Sequence, residues 1–205
     1  MFTENEVSLM IENEKVLEKI KPLKREFLIE EAQFLEISDH DFLSLVILTP
    51  AVGIALANGS VSLFEELALN KRARQLSKGG YFMKKDPVVV AMGFFIKHYD
   101  KWEEKFIAFL RDLMNQVLDL HTVDHQEVAD EDITPVSFRK EVLNVPYGFV
   151  RFLSSYFCSE DVDIINAENR TINKVEFEKM LDIGQKLELD KIPIFRHFCA
   201  TYNVK

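Results

Sequence analysis

Apolar residues recur three and four positions apart along most of this chain, the period of helices that bury one face. The clearest run is 100–120, where Trp102, Phe106, Phe109, Leu110, Leu113, Val117 and Leu120 share one face. Near the start, Leu9, Met10, Val16, Leu17 and Ile20 mark a helix over 6–20, with Pro22 expected to break it or begin the next. Phe27, Leu28, Ala32, Phe34 and Leu35 mark a second. Residues 42–57 form the most apolar stretch. It falls short of the ~20 residues a bilayer span needs and reads as a buried central helix kinked at Pro50. Leu63, Phe64, Leu67, Ala68 and Leu76 predict an amphipathic helix, and an apolar one runs from Pro87 to about residue 97. Beyond 134 come a short helix at Thr134-Pro135, one over 144–158 with Val145, Phe149, Phe152, Leu153 and Phe157 inward, and two more over 171–187 and 190–202.

The polar residues between these runs punctuate helices. Ser38 followed by Asp39 and Asp41 reads as an N-cap with acids at the positive helix end. Ser62 and Glu65 form a capping box, Gly79-Gly80 a stop, and Asp86-Pro87 an N-cap with proline at the first helical position. Asp100 reads as a further cap. No alternating strand pair stands out, and Asn58-Gly59 lies between two helical periods, so it predicts a helix–helix corner rather than a hairpin. The expected fold is all-α, a bundle of roughly eight to ten helices.

Composition agrees. Only 7 Gly and 6 Pro supply turns, too few for a sheet-rich fold. The 17 Phe predict an aromatic-rich core, with an apolar ligand pocket as the other reading. A net charge of -9 repels phosphate backbones and argues against nucleic acid as a partner. The two cysteines, Cys158 and Cys199, are far apart and without a partner motif, which fits a reducing, cytoplasmic setting. The opening residues lack the basic start and apolar run of a signal peptide.

Two corners resemble each other. Asn58-Gly59-Ser60-Val61-Ser62-Leu63-Phe64-Glu65 and Asn169-Arg170-Thr171-Ile172-Asn173-Lys174-Val175-Glu176 share Asn-x-[Ser/Thr]-[Val/Ile]-[Ser/Asn]-x-x-Glu, and each precedes an amphipathic helix. Capping alone accounts for the Ser or Asn and for the Glu. A standard EF-hand is excluded, because Ile54 and Leu56, or Ile165 and Ala167, occupy positions where calcium needs oxygen. The first corner and its preceding helix resemble the TerB-like (tellurite-resistance) helical family, whose pattern is Ala-Asp-Gly-x-[Val/Ile]-[Ser/Thr]-x-x-Glu. Here Ala57-Asn58-Gly59-Ser60-Val61-Ser62-Leu63-Phe64-Glu65 stands in its place. The resemblance covers residues 41–116 best and the second half weakly. It implies an all-helical cytoplasmic protein with a degenerate two-fold repeat, associated with metal binding and membrane-linked stress complexes. It also implies a cation site at the corners, here Asn58 and Glu65 with Asn169 and Glu176. Both family aspartates are asparagine in this chain, which removes two carboxylates and weakens a hard-cation site. The implied organisation is an N-terminal helical extension over 1–37, a TerB-like half over 38–120, an acidic linker over 121–134, and a second half over 135–205 packed on the first.

Other chemistry is sparse. His121 and His125 are four apart and would share a helix face as zinc ligands do, with Asp124 and Glu127 near; a solvated helix end is the competing reading. No histidine follows a Glu by three positions, so a ferritin-like di-iron centre is ruled out. His40-Asp41 is a lone pair. Neither a nucleophile elbow nor a phosphate-binding glycine loop is present. Lys71, Arg72, Arg74, Lys78, Lys84 and Lys85 cluster with no acid among them, and helical spacing puts Lys71, Arg74 and Lys78 on one face. In an acidic protein this cluster reads as a dock for an acidic protein, or for an anionic membrane surface. The function expected is therefore a non-catalytic binding or scaffold protein acting through protein contacts, in a stress response if the resemblance holds, with no cofactor. The alternatives are a divalent-cation binder using the corner acids and a metal-dependent enzyme using the histidine pair.

Overall fold

Asn13, not Pro22, sets the first helix boundary in the computed structural model of the chain, which describes residues 2–79, 86–117, 153, 157, 170–190 and 192–205. Helix α1 (Glu4–Glu12) ends at Asn13, whose side chain accepts the Lys15 N–H at 3.0 Å and starts α2 (Glu14–Glu31). Pro22 lies inside α2 on its exposed side, as does Glu18 one turn before it, and the helix continues through it. The chain leaves the helix after Glu31, so Phe34, expected on an inner face, is 99% exposed.

Ser38 Oγ accepts the Asp41 N–H at 3.0 Å and caps α3 (Asp39–Ile47), which a single residue separates from α4 (Thr49–Leu56). The expected kink is thus a break of 43° at Leu48. Pro50 cannot donate to the carbonyl of Val46; the Thr49 hydroxyl donates to it instead at 2.7 Å. Ser62 and Glu65 close the capping box of α5 (Leu63–Leu76), and Asp86 accepts the Val88 N–H at 3.0 Å to cap α6 (Pro87–Lys97). Helix α7 (Tyr99–Val117) takes in Asp100 as a first-turn residue rather than a cap.

From His40 on, helix α3 is buried, as is the start of α4, with α1, α2, α5, α6 and α7 all packed on α3. The phenylalanines fill this centre ring against ring: Phe27 meets Trp102 at 5.1 Å and Phe95 meets Phe106 at 4.9 Å between centroids. Those positions form core, not a ligand cavity. Among the described residues no single helix is long and apolar enough to cross a membrane; α3 and α4 reach that length only together, bent and buried.

The C-terminal part differs from expectation in one respect. A short parallel pair, β1 (Arg170–Ile172) with β2 (Tyr202–Val204), flanks α8 (Lys174–Lys186) and α9 (Pro193–Ala200). Three residues per strand are too few to set up a readable alternation, and the helices expected over 171–187 and 190–202 overlap the two strands only in part. Helix α8 packs against α4, and Phe157, whose own segment lies largely outside the described residues, meets Phe195 and Phe198 of α9. All nine helices among the described residues support the all-α class.

Candidate functional site

The two similar corners are brought together. Gly59 turns the chain out of α4 with φ of 89°, a conformation that costs glycine little, and Asn58 beside it faces the N-terminus of α8. Asn58 Nδ2 donates to Glu176 Oε1 at 2.7 Å, and Asn173 Nδ2 donates to Asn58 Oδ1 at 3.3 Å. Each Glu also serves its own helix. Glu65 Oε2 accepts the Ser62 N–H at 2.7 Å, and Glu176 Oε2 accepts the Asn173 N–H at 3.3 Å. The junction is therefore a closed set of N–H donors and carboxylate or amide acceptors spanning 118 residues of sequence. Of the expected cation-site residues, Asn58 turns an amide N–H toward Glu176 where a cation site needs oxygen. Asn169 lies outside the described residues. Among the described residues, no group of three or more His, Cys, Asp and Glu side chains is placed to hold a metal ion.

The basic cluster divides. Arg72 was expected on the docking surface and is instead 3% exposed: it faces inward from α5, donating to the Phe2 carbonyl at 2.9 Å and to Gln75 Oε1 at 3.2 Å. Leu69, Ala73 and Leu76 share that inner face, two turns of i, i+3, i+4 spacing that put Arg72 in the same stripe. Lys78 is exposed but lies beyond the helix, which ends at Leu76, and its N–H is held by Asp41 Oδ1 at 3.0 Å. Lys84 and Lys85 fall outside the described residues. Lys71 and Arg74 remain on the solvent face of α5 and make no ion pair among the described residues.

That same face carries residues the sequence reading turned inward. Leu63 is 69% exposed, Phe64 83% and Leu67 57%. At 100° per residue they fall with Lys71 and Arg74 on the side opposite Leu69, Ala73 and Leu76. Helix α5 thus has two apolar stripes. The one at its N-terminal end faces solvent and runs directly into the basic residues. The signal was available in the offset between Leu63/Leu67 and Leu69/Ala73/Leu76, which no single helical face can bury together.

Other polar groups act as ties between helices. His40 is buried with Nδ1 3.2 Å from Asp41 Oδ1 and Nε2 3.3 Å from the Glu4 carbonyl, so the His40-Asp41 pair joins α1 to α3. Glu31, at the end of α2, accepts from Lys101 Nζ at 2.5 Å and Trp102 Nε1 at 3.0 Å and lies 2.5 Å from His98 Nδ1. Burial opposes its ionisation, but these donors and positive charges outweigh burial and hold its carboxyl below the usual range. A shallow cleft of about 460 Å³ opens beside it, lined by Phe34, Val90 and Phe94. Burial pushes the Cys199 thiol up to about 11, as expected of an inert buried cysteine. Cys158, His121 and His125 lie outside the described residues. No protein-family model, no curated protein and no solved structure matches this chain.

Proposed function

We propose that this protein is a non-catalytic helical docking module whose binding face is the solvent side of α5. One observation carries the reading: three large apolar side chains, Leu63, Phe64 and Leu67, stand exposed on the same helical face as Lys71 and Arg74, which make no ion pair among the described residues. Exposed apolar clusters of this kind, beside polar neighbours, mark interaction surfaces. The helix holds to the core through Leu69, Arg72, Ala73 and Leu76, on its opposite side. The TerB-like resemblance supports a scaffold role in a stress response, and the scarcity of cysteine supports a cytoplasmic setting. The cation-binding alternative is less favoured, because Glu65 and Glu176 already cap their helices and Glu176 also receives Asn58.

The test is a pair of variants in the full chain, Leu63→Ser/Phe64→Ser/Leu67→Ser and Lys71→Glu/Arg74→Glu/Lys78→Glu. Both keep the helical circular-dichroism spectrum and shift the Tm by only a few degrees, since exposed substitutions change stability by ~0.5 kcal/mol each. Both lose partners recovered from cell lysate by the wild type at low salt, and the wild-type interaction weakens as salt rises. Undiminished recovery by both folded variants would show that α5 is not the docking face.

A further inference from the structure

The order of residues along α5 says what kind of partner fits. Its exposed face is segregated along the axis: Leu63, Phe64 and Leu67 occupy the first turns, and Lys71 and Arg74 the last. From Leu63 to Arg74 the face spans about 16 Å at ~1.5 Å per residue. Side chains at i, i+4, i+8 and i+11 form a ridge of the kind that packs into the groove of another helix. What sets these two cations apart is their place at the end of an exposed apolar stripe, since other exposed cations such as Lys15, Lys21 and Arg25 also make no ion pair among the described residues. Lys19, Lys24, Lys101, Lys105, Lys179 and Lys186 each pair with an acid. Lys71 and Arg74 make no such pair among the described residues, although Arg74 is near enough for Asp86 to feel its charge.

Resting on the docking reading above, we infer that the face of α5 takes an acidic amphipathic helix of a partner protein, its apolar side chains against Leu63, Phe64 and Leu67 and its carboxylates against Lys71 and Arg74. Charge complementarity selects the acids, because a carboxylate opposite Lys71 and Arg74 meets two cations that make no ion pair among the described residues. A bilayer fits less well. Helices that lie on membranes separate apolar from basic residues around the axis and along their whole length, whereas α5 separates them end from end. Its apolar part covers only two turns, the exposed Glu66 sits within that part, and the chain as a whole is at -9.

The experiment selects binders for the full-length protein from a displayed library of helical peptides about 18 residues long, enough to span the exposed face of α5. Leu, Ala, Ser, Asp, Glu, Lys and Arg vary at their surface positions. Enriched peptides carry apolar residues at one end and Asp or Glu at the other. They bind Lys71→Glu/Arg74→Glu roughly tenfold or more weakly, since like charges are now opposed, and Lys71→Gln/Arg74→Gln falls between. The charge-reversed protein in turn enriches Lys- and Arg-bearing peptides. Enrichment of basic or uncharged peptides, or of none, overturns the inference, as does binding that ignores the charge reversal. Phe64→Ser separates the two levels: peptides that it releases keep α5 as the docking face whatever their charge, and peptides that it leaves bound remove that reading too. Sedimentation with phosphatidylglycerol vesicles that depends on Phe64, with no peptide enriched, makes the occupant a membrane and also overturns the inference.

Discussion

Gly53 of α4 has no room for a side chain, because a Cβ there would overlap the Tyr99 hydroxyl and come within 2.8 Å of Ile183 Cδ1. Gly184 of α8 is covered in the same way by the ring of Phe195. In each case a methyl group must displace a packed aromatic side chain, so Gly53→Ala and Gly184→Ala each destabilise by about 1–3 kcal/mol in urea unfolding. A cost within 0.5 kcal/mol would mean that the rings move aside freely. Asp86 makes the opposite kind of prediction. Burial raises its carboxyl above the ordinary range and the nearby Asp41 adds to this, while the Val88 N–H and Arg74 oppose it. A raised carboxyl favours the folded state only while protonated, and that contribution is lost as pH rises through the folded value. Asp86→Asn keeps an acceptor for the Val88 N–H and removes the charge, so its Tm exceeds that of the wild type at pH 7. The gain vanishes below the unfolded carboxyl value of ~3.9. Asp86 was readable as a cap because its partner is two residues away. The constraint on Gly53 was not, because Tyr99 and Ile183 belong to other helices.

At the scale of elements the helix starts were legible and the helix orientations less so. Ser38, Ser62 and Asp86 cap the helices their sequences announced, since a cap is a local event completed within three residues. Pro22 misled, because whether proline ends a helix depends on its surroundings, and here it lies on the exposed side of α2. Helix α5 misled more seriously. Its two apolar stripes look equally good locally, and only packing on α3 and α6 decides that Leu69, Ala73 and Leu76 are the inner ones. The likeness of the two corners was legible as a pattern, but their contact is a property of the pair of helices α4 and α8. A double-mutant cycle measures that contact. Asn58→Ala and Glu176→Ala together cost less than the sum of their separate effects, with a coupling of about 0.5–1 kcal/mol across the 2.7 Å hydrogen bond. Strict additivity in thermal or urea melts would mean that the corners touch without stabilising each other.

Over the whole molecule, ion pairs concentrate where α7 meets α2 and α8. Lys19 pairs with Asp112, Lys105 with Glu26, and Lys179 and Lys186 both with Glu103. Burial works against ionised Glu103, but the hydrogen bonds and charges of Lys179 and Lys186 prevail and hold its carboxyl below the usual range, as other donors do for Glu31. A depressed carboxyl stabilises the fold above its unfolded value, ~4.3 for Glu, and that stability is lost as pH falls through the folded value. Acid therefore begins to withdraw this contribution below about pH 4.3, and Glu103→Gln makes the Tm less dependent on pH in that range; an unaltered slope would remove Glu103 from the account. The junction of α4 with α8 has a consequence for how the chain is made. Asn58 leaves the ribosome 118 residues before Glu176, which at ~5–20 residues per second is about 6–24 s. Throughout that interval the side of α4 that will receive α8 lacks that helix. The first half must stay soluble with that apolar side uncovered, and a nascent chain stalled between the two corners is the species most prone to aggregate.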